Sequence, residues 1–511
     1  MVILRFLLAT LVVSVVASTA QAQRRFNDIE GVEVVITRAP AVSTPTLTAA
    51  GRVQGAVEIV AGPDLDAANN DFRRIQNAIT AAVTGDTLIF SGTFDFTAVF
   101  AASAWALGND GLAGTADDYA VLVPQNVNDL TLTATGLGNA TIQGPGDLAA
   151  VNLEGFLLFD GGDNHNCTIS NLRILDFDLA IGMFYGPGNT DAFSGCTISN
   201  NFIRIPNDLN GVVAPADVNQ NIGLHYSLGV NQSIIGNVFE VPGNGVSDPS
   251  SASSSVGMQS NTGGGSTYDG LLVADNVLQV LNAAKANAQT VLGYWENGLA
   301  HTSDITISGN QFLNLAAAND PALNLQRAFR VTSHSSPSTT VWYVDNVVSG
   351  SNIGLQWIAG ANFSGNAPVV LELNALADCT TGVLIQSEGV VHLADNTISA
   401  SGTGAGVHLV TGTIAGSGSS SEGMLRNIVA GGNGDGVWIE AGGLVAAPLL
   451  ENRFDGNAGF GVRNQSAPLV VAEYNWWGSD LAVEVAAEVS GNVDYDPWRD
   501  TASDLFADAF E

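Results

Sequence analysis

The sequence predicts an all-β protein, built as a single solenoid of short parallel strands stacked coil upon coil. Two short patterns recur along most of the chain, and helical periodicity is scarce. One pattern places an asparagine between apolar residues, and the other places a glycine before alternating apolar residues. With 46% hydrophobic residues and 58 glycines among 511 residues, the chain can bury a long core between tight turns.

The first pattern is apolar-x-x-Asn-x-apolar, as in Ile198–Ile203. Nine intervals separate the first and last of these asparagines over 274 residues, and the last four intervals are 22, 31, 25 and 23. Such spacing indicates a constant coil with inserted loops of variable length. Asparagine tolerates turn conformations and its amide can bond to the next coil, so a buried ladder is expected at the bends. The asparagines are Asn201, Asn237, Asn276, Asn310, Asn346, Asn374, Asn396, Asn427, Asn452 and Asn475, with Leu172 in the same slot of an earlier copy.

The second pattern is glycine followed by apolar, variable and apolar residues. Alternation with a period of two predicts a strand with one buried face, so the variable residue should point outward. Glycine permits the tight entry into such a strand. The copies begin at Gly182, Gly223, Gly354, Gly382, Gly406, Gly436 and Gly461.

The two ends of the solenoid carry their own signals. Asn70–Val83 predicts one short helix, because Ile75 and Ile79 share an apolar face, and the strand Thr87–Phe90 follows it. Near the other end, tryptophans cluster in Asn475–Gly478 and in Val493–Trp498.

These segments resemble the right-handed parallel β-helix of the pectin-lyase-like superfamily, over roughly residues 55–500. The resemblance implies an N-terminal cap helix and a C-terminal Trp-rich cap, in which Trp476, Trp477 and Trp498 serve packing. The superfamily includes pectate lyases, polygalacturonases, methylesterases and proteins without known activity, so the fold alone selects no reaction.

The first residues predict export. Phe6–Val16 is an apolar run and Ala20-Gln21-Ala22 is a cleavage site, so a secreted or outer-surface protein is expected. No later run is long enough to span a membrane. Pro249–Gly270 is rich in serine and glycine and is predicted to be a surface loop. The predicted organisation is a signal peptide at 1–22, a linker at 23–54, the solenoid at 55–500 and an acidic tail at 501–511.

Charge excludes some partners. The chain has 49 acidic and 16 basic residues, a formal charge of −33. Nucleic acid binding depends on Lys and Arg contacts to phosphates, so no nucleic acid partner is expected. The oligomeric state is left open.

Three cysteines are too few for a disulfide-built scaffold. Cys167 and Cys196 occupy equivalent places in two copies of Cys-Thr-Ile-Ser-Asn, so both side chains should point inward on adjacent coils. Stacked positions about 4.8 Å apart fall within disulfide range, yet in-register parallel geometry is awkward for the bond. Buried free thiols are therefore expected.

One loop suggests calcium. Asn109, Asp110, Asp117 and Asp118 place three carboxylates and an amide around two glycines. Calcium prefers several hard oxygens on a bendable loop, so these residues are candidate ligands. A solvated acidic turn is the alternative, and no other cofactor is indicated.

Catalytic residues are weakly indicated, because no lyase, polygalacturonase or methylesterase motif is complete. β-Elimination from a uronate requires a base and a group that neutralises the carboxylate. Lys285 with Arg327 or Arg330, all expected in inserted loops, could supply them. His408 with Glu440 is a second candidate pair.

A ligand-binding face is the more favoured hypothesis. The outward positions of consecutive coils would hold Leu384 and four polar or aromatic residues, with further polar positions beside them. An aromatic ring could stack on a sugar while the polar groups hydrogen-bond. We therefore expect a secreted protein that binds extracellular polysaccharide or a surface protein, with a polysaccharide-degrading lyase or glycosidase, or a purely structural module, as alternatives. The predicted ligand-binding residues are Gln356, Gln386, His408, Trp438, Glu440 and Arg463, and Gln465 is a further outward position beside them.

Overall fold

A long stack of parallel strands dominates the computed structural model. All described residues lie within the compact unit Ala56–Glu511. The structure describes residues 56–61, 71–96, 119–144, 146, 155–161, 164–177, 179–185, 193–205, 220–226, 229–241, 254–260, 269–280, 292–296, 305–315, 325–331, 340–357, 368–400, 402–417 and 421–501.

Short strands follow one another along the described chain, with one helix near each end. The helices are α1 (Asp71–Ala81) and α2 (Ala482–Ala487). The first strands are β1 (Ala56–Val60), β2 (Thr87–Asp95), β3 (Tyr119–Val123), β4 (Thr131–Ala134), β5 (Ala140–Gln143), β6 (Gly155–Gly161), β7 (Thr168–Ser170), β8 (Arg173–Leu175), β9 (Leu179–Tyr185), β10 (Thr197–Ser199), β11 (Phe202–Arg204), β12 (Gln220–Tyr226), β13 (Ser233–Ile235), β14 (Val238–Val241), β15 (Ser254–Ser260), β16 (Leu272–Ala274), β17 (Val277–Val280) and β18 (Leu292–Glu296). They continue as β19 (Ile305–Ser308), β20 (Gln311–Asn314), β21 (Leu325–Val331), β22 (Val341–Val344), β23 (Val347–Ser349), β24 (Ser351–Trp357), β25 (Pro368–Glu372), β26 (Ala375–Cys379), β27 (Thr381–Ala394), β28 (Thr397–Ala400), β29 (Val407–Ile414), β30 (Met424–Leu425), β31 (Ile428–Val429), β32 (Val437–Val445), β33 (Leu449–Leu450), β34 (Val462–Asn464), β35 (Val470–Val471), β36 (Val489–Gly491) and β37 (Val493–Asp494).

In the middle of the described chain, each coil contributes a strand to each of three faces. Strands β7, β10, β13 and β16 pair in parallel on one face, and β8, β11, β14 and β17 pair in the same way on the next. The glycine-containing strands β9, β12, β15 and β18 form the third, which we call the glycine face. The chain is therefore a parallel β-helix, and the predicted fold class is confirmed.

The predicted asparagine ladder is present at the bend between two faces. The Oδ1 of each asparagine accepts hydrogen bonds from the backbone N–H and the side-chain amide of the preceding one, as Asn237 does from Asn201 at 3.0 Å. The remaining amide hydrogen of Asn201 goes to the carbonyl of Ile169. Leu172, in the first slot, donates its backbone N–H to Asn201 Oδ1. All ten asparagines are buried, and because each amide is fully paired, burial costs little.

A left-handed residue precedes every ladder asparagine, which the sequence patterns do not show. Some of these residues are glycines, which adopt positive φ freely, but most are not. They are Asn200, Gly236, Asp275, Gly309, Asp345, Leu373, Asp395, Arg426, Glu451 and Tyr474.

Helix α1 lies within the predicted Asn70–Val83, and its Ile75 and Ile79 are fully buried in the common core. At the other end Trp477 is buried and Trp498 packs against the same core. These contacts fit packing roles, and the capping function of both ends stays a prediction.

The expectation of free thiols at two cysteines is wrong. Cys167 and Cys196 form a disulfide, with their Cα atoms 4.5 Å apart directly before the paired strands β7 and β10. In-register stacking thus brings them within bonding range despite the parallel geometry. Cys379 is free and buried.

The prediction of a loop over all of Pro249–Gly270 is also wrong, because β15 lies within it. Its Gly257 and Met258 repeat the glycine pattern, which flanking serines conceal, and Met258 is buried in the core.

Candidate functional site

The outward positions of the glycine face form one continuous column along the solenoid. Gln356 pairs with Leu384, Leu384 with His408, His408 with Trp438, and Trp438 with Arg463. The predicted register of these consecutive coils is therefore confirmed. The column continues toward the N-terminus through Arg330, Trp295, Gln259 and His225, and toward the C-terminus to Ser490.

Glycine lets these strands pack closely. A Cβ built at Gly354 would lie 2.6 Å from the carbonyl oxygen of Gly382 on the next coil. Any larger residue would push the coils apart and disturb the column beside it.

Accessibility divides the column into two parts. On the N-terminal coils, outward apolar residues such as Ile222 and Val256 form a cluster of their own outside the main core. Gln259 and Gln356 are only 5% and 3% exposed. On the C-terminal coils, by contrast, the side chains of His408 and Arg463 are 15% and 32% exposed. A ligand can reach the column there. We call this part the C-terminal face, and it comprises Gln386, His408, Asp435, Trp438, Glu440, Arg463 and Gln465.

Three side chains of the C-terminal face form a stack that runs from coil to coil. The rings of His408 and Trp438 lie parallel, with centroids 4.2 Å apart and an interplanar angle of 5°. The Arg463 guanidinium lies 5.6 Å from the Trp438 centroid and 5.1 Å from that of Phe460. Contacts of this kind favour a cation near the face of an aromatic ring. With His408 and Arg463 on neighbouring coils to either side, the indole presents mainly its edge to a ligand.

Each member of the stack is also held by a polar neighbour. His408 Nε2 and Glu440 Oε1 are 2.9 Å apart, and Trp438 Nε1 donates to Gln465 Oε1 at 3.2 Å. Arg463 pairs with both carboxylate oxygens of Asp435, at 3.0 and 3.1 Å. The stack is therefore fixed before any ligand arrives.

Gln356 lies two coil steps before His408 in the column. Its side-chain amide donates to Gln386 Oε1 at 2.7 Å. The Oε1 of Gln356 is buried and accepts no hydrogen bond within the described part of the chain. Five of the six predicted ligand-binding residues thus lie on the C-terminal face, while the buried Gln356 contacts that face through its hydrogen bond to Gln386.

Asp435 is the member that sequence reasoning missed. It is 6% exposed and also accepts the backbone N–H of Phe460 at 2.8 Å. The sequence does contain a signal for Asp435. It directly precedes the glycine of its coil, where neighbouring coils have alanine, threonine or phenylalanine, so a carboxylate at this position is unusual.

Among the catalytic candidates that the structure describes, His408 and Glu440 lie in contact, whereas Arg327 and Arg330 lie apart from that pair. Arg327 and Arg330 lie on strand β21, not in a loop as expected. Arg330 is separated from His408 by three coil steps of the column, or about 14 Å, and Glu440 is farther still. Lys285 lies outside the described residues.

Burial gives these two arginines an unusual environment. It lowers the pKa of Arg327 to about 10, with a further contribution from the neighbouring charge of Arg330, and it lowers the pKa of Arg330 as well. Elsewhere, hydrogen bonds to Asp176 and Asp395 raise the pKa values of Arg204 and Arg426.

The candidate calcium ligands Asn109, Asp110, Asp117 and Asp118 lie outside the described residues, so that site stays a prediction. Within the part of the chain that the structure describes, no group of three or more His, Cys, Asp or Glu side chains is arranged to hold a metal. Among the same residues, no helix is long and apolar enough to cross a membrane.

Comparisons with known proteins yield likenesses in structure only. No protein-family model matches the chain, and no curated protein matches it. The Azotobacter vinelandii mannuronan C-5 epimerase AlgE6 A-module is 14% identical, with a TM-score of 0.38, over 84% of this chain and 94% of that one. The catalytic unit of the thermostable GH87 α-1,3-glucanase from Streptomyces thermodiastaticus is 15% identical, with a TM-score of 0.36, over 77% of this chain and 70% of that one. Likenesses this distant carry no information about activity.

Proposed function

We propose that this protein is secreted and binds an extracellular polysaccharide along the C-terminal face, without needing to cleave it. The observation that carries the proposal is the accessible, pre-formed stack of His408, Trp438 and Arg463. The nearest outward residues toward the N-terminus, Gln356 and Leu384, are by contrast buried.

The dimensions suit an extended chain. The coils of Leu384 and Arg463 are three steps apart, about 14 Å, which matches a short oligosaccharide. Glu440, Gln386 and Gln465 line this length with hydrogen-bonding groups. Because the stack is already ordered, little side-chain entropy is lost when a ligand binds. A surface protein is the other partner class that such a face could accept.

Substitution of Trp438 by alanine tests the proposal. Trp438 is the middle member of the stack, so its loss should release His408 and Arg463 and weaken glycan binding by at least about 1 kcal/mol, or about fivefold in Kd. Arg463→Ala should act in the same direction. Binding is measured by calorimetry, with a glycan found first by affinity electrophoresis of the wild-type protein.

Trp342→Ala is the matched control, because Trp342 is a half-buried tryptophan of strand β22 on another face. It should leave Kd unchanged. Equal Kd values for wild type, Trp438→Ala and Arg463→Ala would move the binding site away from the C-terminal face.

Catalysis is the second candidate, and one contact favours it. An imidazole held 2.9 Å from a carboxylate, as in His408 and Glu440, can transfer protons during polysaccharide cleavage. A degradation assay on the bound glycan separates the two functions. Depolymerisation that disappears in His408→Gln, while binding persists, would establish an enzyme.

A further inference from the structure

We infer that the glycan recognised by the C-terminal face is electrically neutral and hydroxyl-rich, and this inference rests on the proposed function. It follows from which hydrogen-bonding groups of the face are already used and from the charge that remains.

Each member of the stack already directs a donor to a partner within the protein. The imidazole N–H of His408 points to Glu440, the indole N–H of Trp438 to Gln465, and the Arg463 guanidinium to Asp435. The groups that receive these bonds keep spare acceptor capacity, since a carboxylate or amide oxygen has more than one lone pair. Glycan hydroxyls can donate to these acceptors.

Charge points the same way. With histidine neutral, the seven residues that define the face carry two carboxylates and one guanidinium, a formal charge of −1. The guanidinium is neutralised by Asp435, which is only 6% exposed. Glu440, whose side chain is 35% exposed, therefore sets the local charge that a ligand meets. The whole chain, at −33, adds to the repulsion of an acidic polymer.

The arginines farther along the column do not reverse this balance. Arg327 and Arg330 lie on β21, and the buried residues Gln356 and Leu384 separate Arg330 from the C-terminal face. A carboxylate on a ligand bound at Trp438 would be about four coil steps, or about 19 Å, from Arg330. Beyond about 10 Å, charges exposed to 0.1 M salt are largely screened.

The experiment compares neutral and acidic forms of the same backbone. Native affinity electrophoresis is run with dextran, a soluble β-glucan and a galactomannan, each also as its carboxymethylated derivative. The wild-type protein should be retarded by at least one neutral glycan, with at least about tenfold weaker binding to the derivative of the same backbone at 100 mM salt. The difference should shrink at 500 mM salt, because screening removes the repulsion.

Glu440→Gln should reduce the difference in affinity between a neutral glycan and its carboxymethylated derivative, because it removes the accessible negative charge. Glu240→Gln is the matched control on another face, where Glu240 accepts a bond from Gln279, and it should leave that difference unchanged.

The outcomes separate the two hypotheses. Equal or tighter binding of a carboxymethylated glycan than of its neutral parent would overturn the neutral-ligand inference and leave the proposed function intact. Absence of retardation by all six polymers would overturn the proposed function, and the inference with it.

Discussion

Replacement of Asn396 by leucine should show how much the asparagine ladder contributes to stability. Asn396 lies in the middle of the ladder and is 2% exposed. Its Oδ1 accepts the backbone N–H and a side-chain N–H of Asn374, both at 2.9 Å. Its own amide donates to the carbonyl of Leu371 and to Asn427 Oδ1, both at 2.8 Å.

The structure gives the expected magnitude. Leucine would leave three buried groups without a hydrogen-bond partner: two N–H groups of Asn374 and the carbonyl of Leu371. Asn427 Oδ1 would still accept the backbone N–H of residue 396. Each buried group left without a partner costs about 1–3 kcal/mol, so the free energy of unfolding should fall by about 3 kcal/mol or more. Leucine has the same branched shape as asparagine and a larger volume, so no cavity adds to this loss.

Denaturant titration measures the change, and hydrogen exchange of the Asn374 amide reports it locally. Asn492→Leu is the control, because the exposed Asn492 amide makes a single 3.3 Å bond to Ala467, and the change should stay within about 0.5 kcal/mol. A loss at Asn396 no greater than that of the control would refute the assigned role of the ladder.

Three further predictions follow from single residues. Burial raises the pKa of the Asp345 carboxyl, so the folded state retains a proton that the unfolded chain has released, and stability falls as pH rises from the ordinary Asp pKa through the raised one. Asp345→Asn should therefore stabilise the protein at about pH 7 and lose that advantage near pH 4, as denaturant titration at both pH values will show. Thiol titration of the unreduced, denatured protein should find one reactive group, Cys379, because the other two cysteines are bonded; three would contradict the disulfide. If the acidic loop binds calcium, the melting temperature should rise with millimolar Ca²⁺ and stop rising in the Asp117→Ala/Asp118→Ala double variant.

The sequence predicts the columns of this fold well, because their chemistry repeats. A buried amide must be fully paired, so asparagine recurs in every coil of the ladder. The pattern can therefore be recognised even though the interval between its copies varies. The alternation after each glycine likewise places Gln356, His408 and Arg463 in one column without knowledge of the loops between them.

The bends are less predictable, because their backbone conformation is not tied to one residue type. The position before each ladder asparagine is left-handed whether it holds Gly309, Leu373 or Tyr474. Stacking of the neighbouring coils imposes the conformation, although it costs about 1–2 kcal/mol for ordinary residues.

For the candidate site, sequence gives position but not ring orientation. Alternation places Trp438 outward, yet the direction of its ring depends on contacts with His408 and Arg463 across coils. The role of Asp435 was missed for the same reason, since its partner lies 28 residues away in the chain.

The ladder also makes the coil a unit that protein engineering can remove or add. A segment running from one ladder asparagine to just before the next, such as residues 396–426, begins and ends at equivalent points of the repeat. Its deletion would let Asn374 bond to Asn427 as it now bonds to Asn396, and every column would close up by one step. Each deleted coil would thus shorten the outward surface by about 4.8 Å without redesign of the core.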